Sequence, residues 1–193
     1  TIAWNHPARD IDLGPLENPT LRPSTKGQRT SDGADLILRP WNNLSILENT
    51  FADHGDSLAA VICDPFASAA GLIPAQQSFL ETLRALCTEH GVVLIFDEVI
   101  TGLRVSKGGA QEYYGITPDL ATLAKALGAG MPVGALVGRA DLMDHFTTGT
   151  VHSGTYNASP MVMAGTRAAL ELLLEDDGSE FQQAWHAGEQ LQS

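Results

Sequence analysis

The chain has 193 residues, 44% hydrophobic and 18% charged, and 11 Lys+Arg against 23 Asp+Glu give a formal net charge of −12. That length suits one domain, or one and a half, with a real core, and the charge argues against nucleic-acid or anionic-membrane binding, since phosphate selects basic faces. No apolar run approaches the ~18 residues of a membrane helix, the first ten residues lack a signal peptide's basic start and apolar stretch, and Cys63 and Cys87 form no C-x-x-C pair, which suits a reducing, cytoplasmic setting.

Thr1 to Pro40 is rich in Pro, Asp, Gly and Arg and has little periodicity. Compact domains rarely open this way, so the expectation is a piece of a larger protein. A short helix is expected from Leu44 to Phe51. Ala59 to Cys63 is an apolar run of strand length, ended by Asp64-Pro65, and Ala67 to Gly71 is loop-like. From Gln76 to His90, Phe79, Leu83, Leu86 and Cys87 recur at helical spacing, and Gly91 is placed to stop that helix. Val92 to Phe96 is wholly apolar, the pattern of a strand covered on both faces. Strand, helix, strand predicts a βαβ unit with a parallel sheet, hence an α/β fold.

Residues 101–118 read as a glycine-rich polar loop. Leu120 to Leu127 has helical composition, Val133 to Val137 reads as a strand, and Ala140 to Phe146 as a short helix. A Thr/Ser/Gly/Asn loop over 147–159 precedes a strong helix from Pro160 to Leu174. Glu180 to Gln192 begins another helix.

Three features carry candidate chemistry. Asp97-Glu98 directly follows the apolar strand, and ligands of open α/β sheets bind at the carboxyl ends of strands. A carboxylate there suits a metal, a base or a cationic cofactor nitrogen; a helix cap or a solvated pair fits as well. No G-x-x-x-x-G-K-[ST] loop accompanies it. Lysine is scarce, with only Lys26, Lys107 and Lys125. Lys125 sits among Ala, Leu, Gly and Met, so desolvation would favour its neutral, nucleophilic amine; a snorkelling structural lysine has the same pattern. Ser153-Gly154-Thr155 offers hydroxyls and backbone N–H groups to a phosphate, or is simply a turn. Taken together, these are the parts of a pyridoxal phosphate (PLP) site: an imine-forming lysine, an acidic partner for the pyridine nitrogen and a phosphate cradle. His54, His90, His145 and His152 show no metal-site spacing. Tyr113 and Tyr114 read as packing residues, and Cys63 as an inert buried thiol.

Residues 94–135, L-I-F-D-E-V-I-T-G-L-R-V-S-K-G-G-A-Q-E-Y-Y-G through M-P-V-G-A, closely resemble the core of class III PLP-dependent aminotransferases. Within that class they are most similar to the glutamate-1-semialdehyde 2,1-aminomutase branch. The similarity extends to Arg39-Pro40-Trp41-Asn42-Asn43-Leu44, to Ala60–Pro74 and to Gly154–Pro160, covering about residues 36–175. The resemblance implies that Lys125 forms the Schiff base and then shuttles protons, that Asp97 pairs with the pyridine nitrogen, and that Val99 packs on the ring. Thr155, with Gly154, would bind the phosphate and reach the neighbouring subunit's site in a homodimer. It also implies a fold-type-I large domain with a mostly parallel sheet and flanking helices, and a short strand, not a helix, leading to Lys125. The substrate class would be small amino and oxo acids, with no nucleic acid or membrane partner.

The sequence departs from the family pattern in several places. Asp64-Pro65 stands where the family has Glu-Pro. Ala69 and Ile100 replace a Glu and a Gln common in ω-aminotransferases, which points toward the aminomutase-like branch. Ser159-Pro160 replaces Asn-Pro. The family's upstream S-G-[ST]-E-A segment is absent. The expected division is therefore 1–175 as the later part of an incomplete PLP-binding large domain and 176–193 as the start of a helix into a small C-terminal domain. Such a piece alone would bind cofactor weakly and not turn over. An intermolecular aminotransferase, a strict aminomutase and an inactive scaffold all fit these residues.

Overall fold

The computed structural model describes residues 14, 15, 17–21 and 27–192; Lys26 and most of the irregular N-terminal stretch lie outside them. The chain divides into two compact units, one of residues 1–58 and 66–92, the other of residues 59–65 and 93–193.

The first unit is built on helices α1 (Leu44–His54) and α2 (Gln77–His90). Asn43 caps α1, its Oδ1 accepting the Ile46 N–H at 3.1 Å. Asn42 takes a left-handed φ of 58°, which asparagine tolerates. Its side chain donates to the Pro74 carbonyl at 3.0 Å and accepts the Gln76 N–H at 2.9 Å. Trp41 adds an indole hydrogen bond to the Ile73 carbonyl at 3.1 Å and an edge-on contact with Phe79. The Trp-Asn-Asn-Leu segment thus fixes both the start of α1 and the approach to α2. Phe51, Leu80, Leu83 and Cys87 are almost wholly buried, and α1 packs against α2. Gly91, at φ 68°, ends α2 in the left-handed conformation that a side chain disfavours. Both helices extend beyond or begin within a residue of the predicted spans, α1 by a further turn to His54.

The second unit carries a four-stranded sheet in the order β1 (Ala60–Cys63), β2 (Val93–Glu98), β3 (Leu120–Leu123), β4 (Ala135–Gly138). The first three strands are parallel and β4 is antiparallel to β3. The predicted parallel pairing of β1 with β2 is therefore present, and α2 lies between them in the chain. The segment Leu120–Leu123 is a strand despite its helical composition. It lies between β2 and β4, where its backbone groups are paired on both sides, and that tertiary setting overrides local propensity.

Asp119 stitches three strands together at the entry to β3. Its Oδ2 accepts the Leu94 N–H at 2.8 Å, its own N–H donates to the Leu94 carbonyl, and its carbonyl accepts from Arg139 N–H. The Arg139 guanidinium closes the set at 2.8 Å from Asp119 Oδ1 and also holds Asp141, keeping that carboxyl below its ordinary value.

The sheet differs from the expected two-sided burial. Leu94, Phe96, Glu98 and Ala121 line a buried face. Val93, Ile95 and Asp97 on the opposite face are half-buried, and Ile62 is 63% exposed. An apolar run permits coverage on both faces but cannot impose it. Cys63, paired with Phe96 but on the edge strand β1, is half-buried rather than buried.

Two helical readings are also revised. The 101–118 region contains a helix, α3 (Gly109–Tyr114), and the 140–146 helix is two short ones, α4 (Ala140–Met143) and α5 (His145–Thr148). The strong helix α6 (Pro160–Leu174) has the predicted bounds, with Pro160 in its first turn. It packs on the turn Lys125–Gly128, and Met131 lies so close to Gly165 that a β-carbon there would meet its side chain. Asp176 and Gly178, both at positive φ, separate α6 from α7 (Ser179–Gln192). From α7, Trp185 stacks on Tyr113 and donates to the Val105 carbonyl at 3.0 Å, so Tyr113 is a packing residue. No helix among the described residues is long and apolar enough to cross a membrane.

Candidate active site

Asp97 is the next-to-last residue of β2, on the half-buried face. Its Oδ1 accepts two hydrogen bonds, from the Val99 N–H at 3.1 Å and from the Thr122 hydroxyl at 3.2 Å. Thr122 is Asp97's register partner on β3, so the parallel pairing itself delivers that hydroxyl. Oδ2 takes no hydrogen bond among the described residues. The carboxylate is thus fixed in orientation with one oxygen left open, the arrangement suited to a cationic N–H.

Lys125 follows β3 by two residues and three residues past Thr122. Three residues span at most about 10 Å, so the ends of β2 and β3 bring Asp97 and Lys125 to one edge of the sheet. Lys125 has a left-handed φ of 47° and opens a one-turn 3-10 helix, Lys125–Gly128. That turn buries Leu127 and Gly128 and leaves Lys125 exposed. The expected desolvation of the lysine is therefore not present. Leu127 and Gly128 turn inward, while Lys125 lies at the surface just past the strand end.

Val99 is half-buried in the turn after β2. Gly154 and Thr155 are exposed in the loop before α6, where the Gly154 carbonyl accepts the Asn157 N–H at 3.0 Å. No hydrogen bond joins Thr155 to Asp97, Val99 or Lys125 among the described residues. The site residues therefore fall into two groups: Asp97, Val99 and Lys125 at the sheet edge, and Gly154-Thr155 on an exposed loop. Sequence reasoning missed Thr122, because its role depends on strand register. It also read Glu98 only as half of an acidic pair, whereas Glu98 is fully buried. Among the described residues no cluster of His, Cys, Asp and Glu could hold a metal ion.

Comparison with known proteins agrees with this architecture. The sequence pattern of the family described as aminotransferase class-III matches residues 21–193, beyond the 36–175 expected from the motifs. A glutamate-1-semialdehyde 2,1-aminomutase of Nitratidesulfovibrio vulgaris (strain DP4) is 46% identical over 157 residues, 80% of this chain and 37% of that protein. The same-named protein of Bordetella avium (strain 197N) is 49% identical over 153 residues, 78% of this chain and 36% of that one. The chain thus spans well under half the length of these curated relatives. Among solved structures, an ω-transaminase from Sphaerobacter thermophilus superposes with a TM-score of 0.87 at 35% identity, covering 99% of this chain and 44% of that one. A transaminase with PLP bound superposes at 0.74, with 35% identity over 79% of this chain and 37% of that one. The fold is that of the transaminases, α/β with a mostly parallel sheet, and the chain belongs to the class-III aminotransferase family.

Proposed function

We propose that the protein containing this chain is a PLP-dependent, aminomutase-like aminotransferase acting on small amino and oxo acids. The observation that carries this reading is Asp97, fixed through Oδ1 with Oδ2 open, on the strand beside the one that ends two residues before Lys125. These residues fit PLP. Asp97 Oδ2 would accept a hydrogen bond from the protonated ring nitrogen, and its negative charge would keep that nitrogen protonated. Lys125, exposed at the strand end, would hold the cofactor through Nζ. Val99 would pack on the ring, and Gly154 with Thr155 would bind the phosphate. When bound, PLP supplies an electrophilic aldehyde and a ring that takes up negative charge from the substrate α-carbon.

The rest of the chemistry belongs to the chain. Asp97 is held in orientation by the Val99 N–H and the Thr122 hydroxyl. Lys125 serves as base and then acid, taking a proton from the substrate α-carbon and returning one, as a positioned amine does. Thr155 lies on an exposed loop, apart from the sheet-edge group by hydrogen bonding, which supports a role in the partner's site of a homodimer. Residues 1–175 would then be the later part of the cofactor-binding large domain, and 176–193 the helix leading to a small domain. The setting would be cytoplasmic.

Two reactions share this machinery. The curated relatives named as aminomutases favour amino transfer between neighbouring carbons of one substrate. The ω-transaminase structure favours transfer to a separate oxo acid. An amino-15N substrate mixed with unlabelled oxo acid separates them. Label appearing in the oxo acid's amine product identifies the intermolecular aminotransferase we propose. Label retained wholly in the isomerised substrate identifies the strict aminomutase. No label movement in either direction contradicts both.

A further inference from the structure

Asp97 and Glu98 are consecutive in β2, so the pleat sends them to opposite faces. Glu98 has 0% exposure. No lysine or arginine pairs with it among the described residues. Four donors do: the Thr101 hydroxyl at 3.1 Å and the Ala110 N–H at 2.5 Å on Oε2, and the Gln111 N–H and Gln111 Nε2, each at 3.2 Å, on Oε1. The Glu98 carbonyl also accepts the Gly102 N–H at 2.9 Å.

The surrounding backbone is shaped to this carboxylate. Gly109 holds φ 72°, and a β-carbon there would collide with the Glu98 carboxylate. A buried charge without a counter-ion is costly unless its lone pairs are filled by N–H and O–H donors. Here they are filled from both ends of one segment, Thr101 near its start and Ala110-Gln111 at its close. That segment begins with Val99, whose N–H holds Asp97 Oδ1.

We propose that Glu98 is a positioning residue for Asp97. Its carboxylate closes the 99–111 segment into a fixed loop. The loop aims the Val99 N–H at Asp97 Oδ1 and so leaves Oδ2 directed at the ligand. The proposal rests on the reading of Asp97 as partner of the pyridine nitrogen. Glu98→Gln keeps the shape but sets an NH2 donor against N–H donors, so at least one hydrogen bond is lost.

The test compares wild type, Glu98→Gln and Asp97→Asn in the purified full-length protein that contains this chain. Readouts are amide hydrogen exchange over 99–111, the PLP dissociation constant, and the pH midpoint of ring-nitrogen protonation in bound 15N-labelled PLP, followed by NMR. Glu98→Gln is expected to speed exchange across the segment, weaken PLP binding about tenfold and lower the pH midpoint by about one unit, a tenfold weaker hold on the ring proton. Faster exchange with unchanged affinity and midpoint would make Glu98 a loop clamp only and overturn the proposal. If Asp97→Asn itself leaves the midpoint unmoved, or the wild type binds no PLP, the Asp97 reading fails and takes this one with it. If Asp97→Asn moves the midpoint and Glu98→Gln does not, only the Glu98 proposal fails. Should Glu98→Gln not fold, Thr101→Val removes a single donor. It is expected to weaken affinity about threefold and to lower the midpoint, and an unmoved midpoint would overturn the proposal.

Discussion

Three side chains decide the candidate site, and they differ in how readable they are from sequence. Asp97 is legible because a carboxylate just after an apolar strand is a local pattern. Its orientation is not, since Thr122 reaches it only through the β2–β3 register. Lys125 is legible as a scarce lysine among small apolar residues, but the burial inferred from those neighbours is not present. Ala124 and Lys125 leave the strand, and the 3-10 turn buries Leu127 instead of the amine. Glu98 looks like Asp97's twin and is its opposite, sealed into the other face by donors up to thirteen positions away. At this scale the account predicts that Asp97→Asn retains the fold, because Asn Oδ1 still accepts from Val99 and Thr122. Steady-state kinetics should nevertheless show kcat down by about two orders of magnitude or more, the scale of losing one preorganised charge-stabilising group. A kcat within a few-fold of wild type would remove Asp97 from the chemistry.

Among the elements, long periodic segments were the readable ones. α2 and α6 carry their own apolar spacing and end at Gly91 and at the 175–178 break. α3 was hidden because its N-terminus is capped by Glu98, a residue far outside the helix, and no local signal marks that. β3 was misread by composition and correctly read by resemblance, since four residues held between two strands need no strand propensity of their own. Asp119 braces this sheet through both its backbone and its side chain. Asp119→Ala would leave the buried Leu94 N–H without its side-chain acceptor, a cost of about 1–3 kcal/mol. A melting midpoint falls roughly 2–4 °C per kcal/mol in a chain of this size. Arg139→Ala removes the exposed half of the same pair and should cost under about 1 kcal/mol. Equal losses in calorimetry would assign the brace to the ion pair instead of the backbone hydrogen bond.

On the scale of the whole molecule, the chain spans 36–37% of the length of the two aminomutases compared with it and 44% of the ω-transaminase it superposes on. Family membership was readable because the 94–135 segment is dense in chemically constrained positions. The distribution of the site was only partly readable. The sheet edge assembles Asp97, Val99 and Lys125, while Gly154 and Thr155 lie on an exposed loop. On the proposed function, Lys125 Nζ is the atom that holds PLP. The direct measurement is borohydride reduction of the PLP-loaded protein followed by peptide mass mapping, with Lys125→Ala in parallel. The account predicts a single pyridoxyl adduct on the peptide containing Lys125 and none in the variant. An adduct on Lys26 or Lys107, an adduct that persists in Lys125→Ala, or no adduct at all would contradict it.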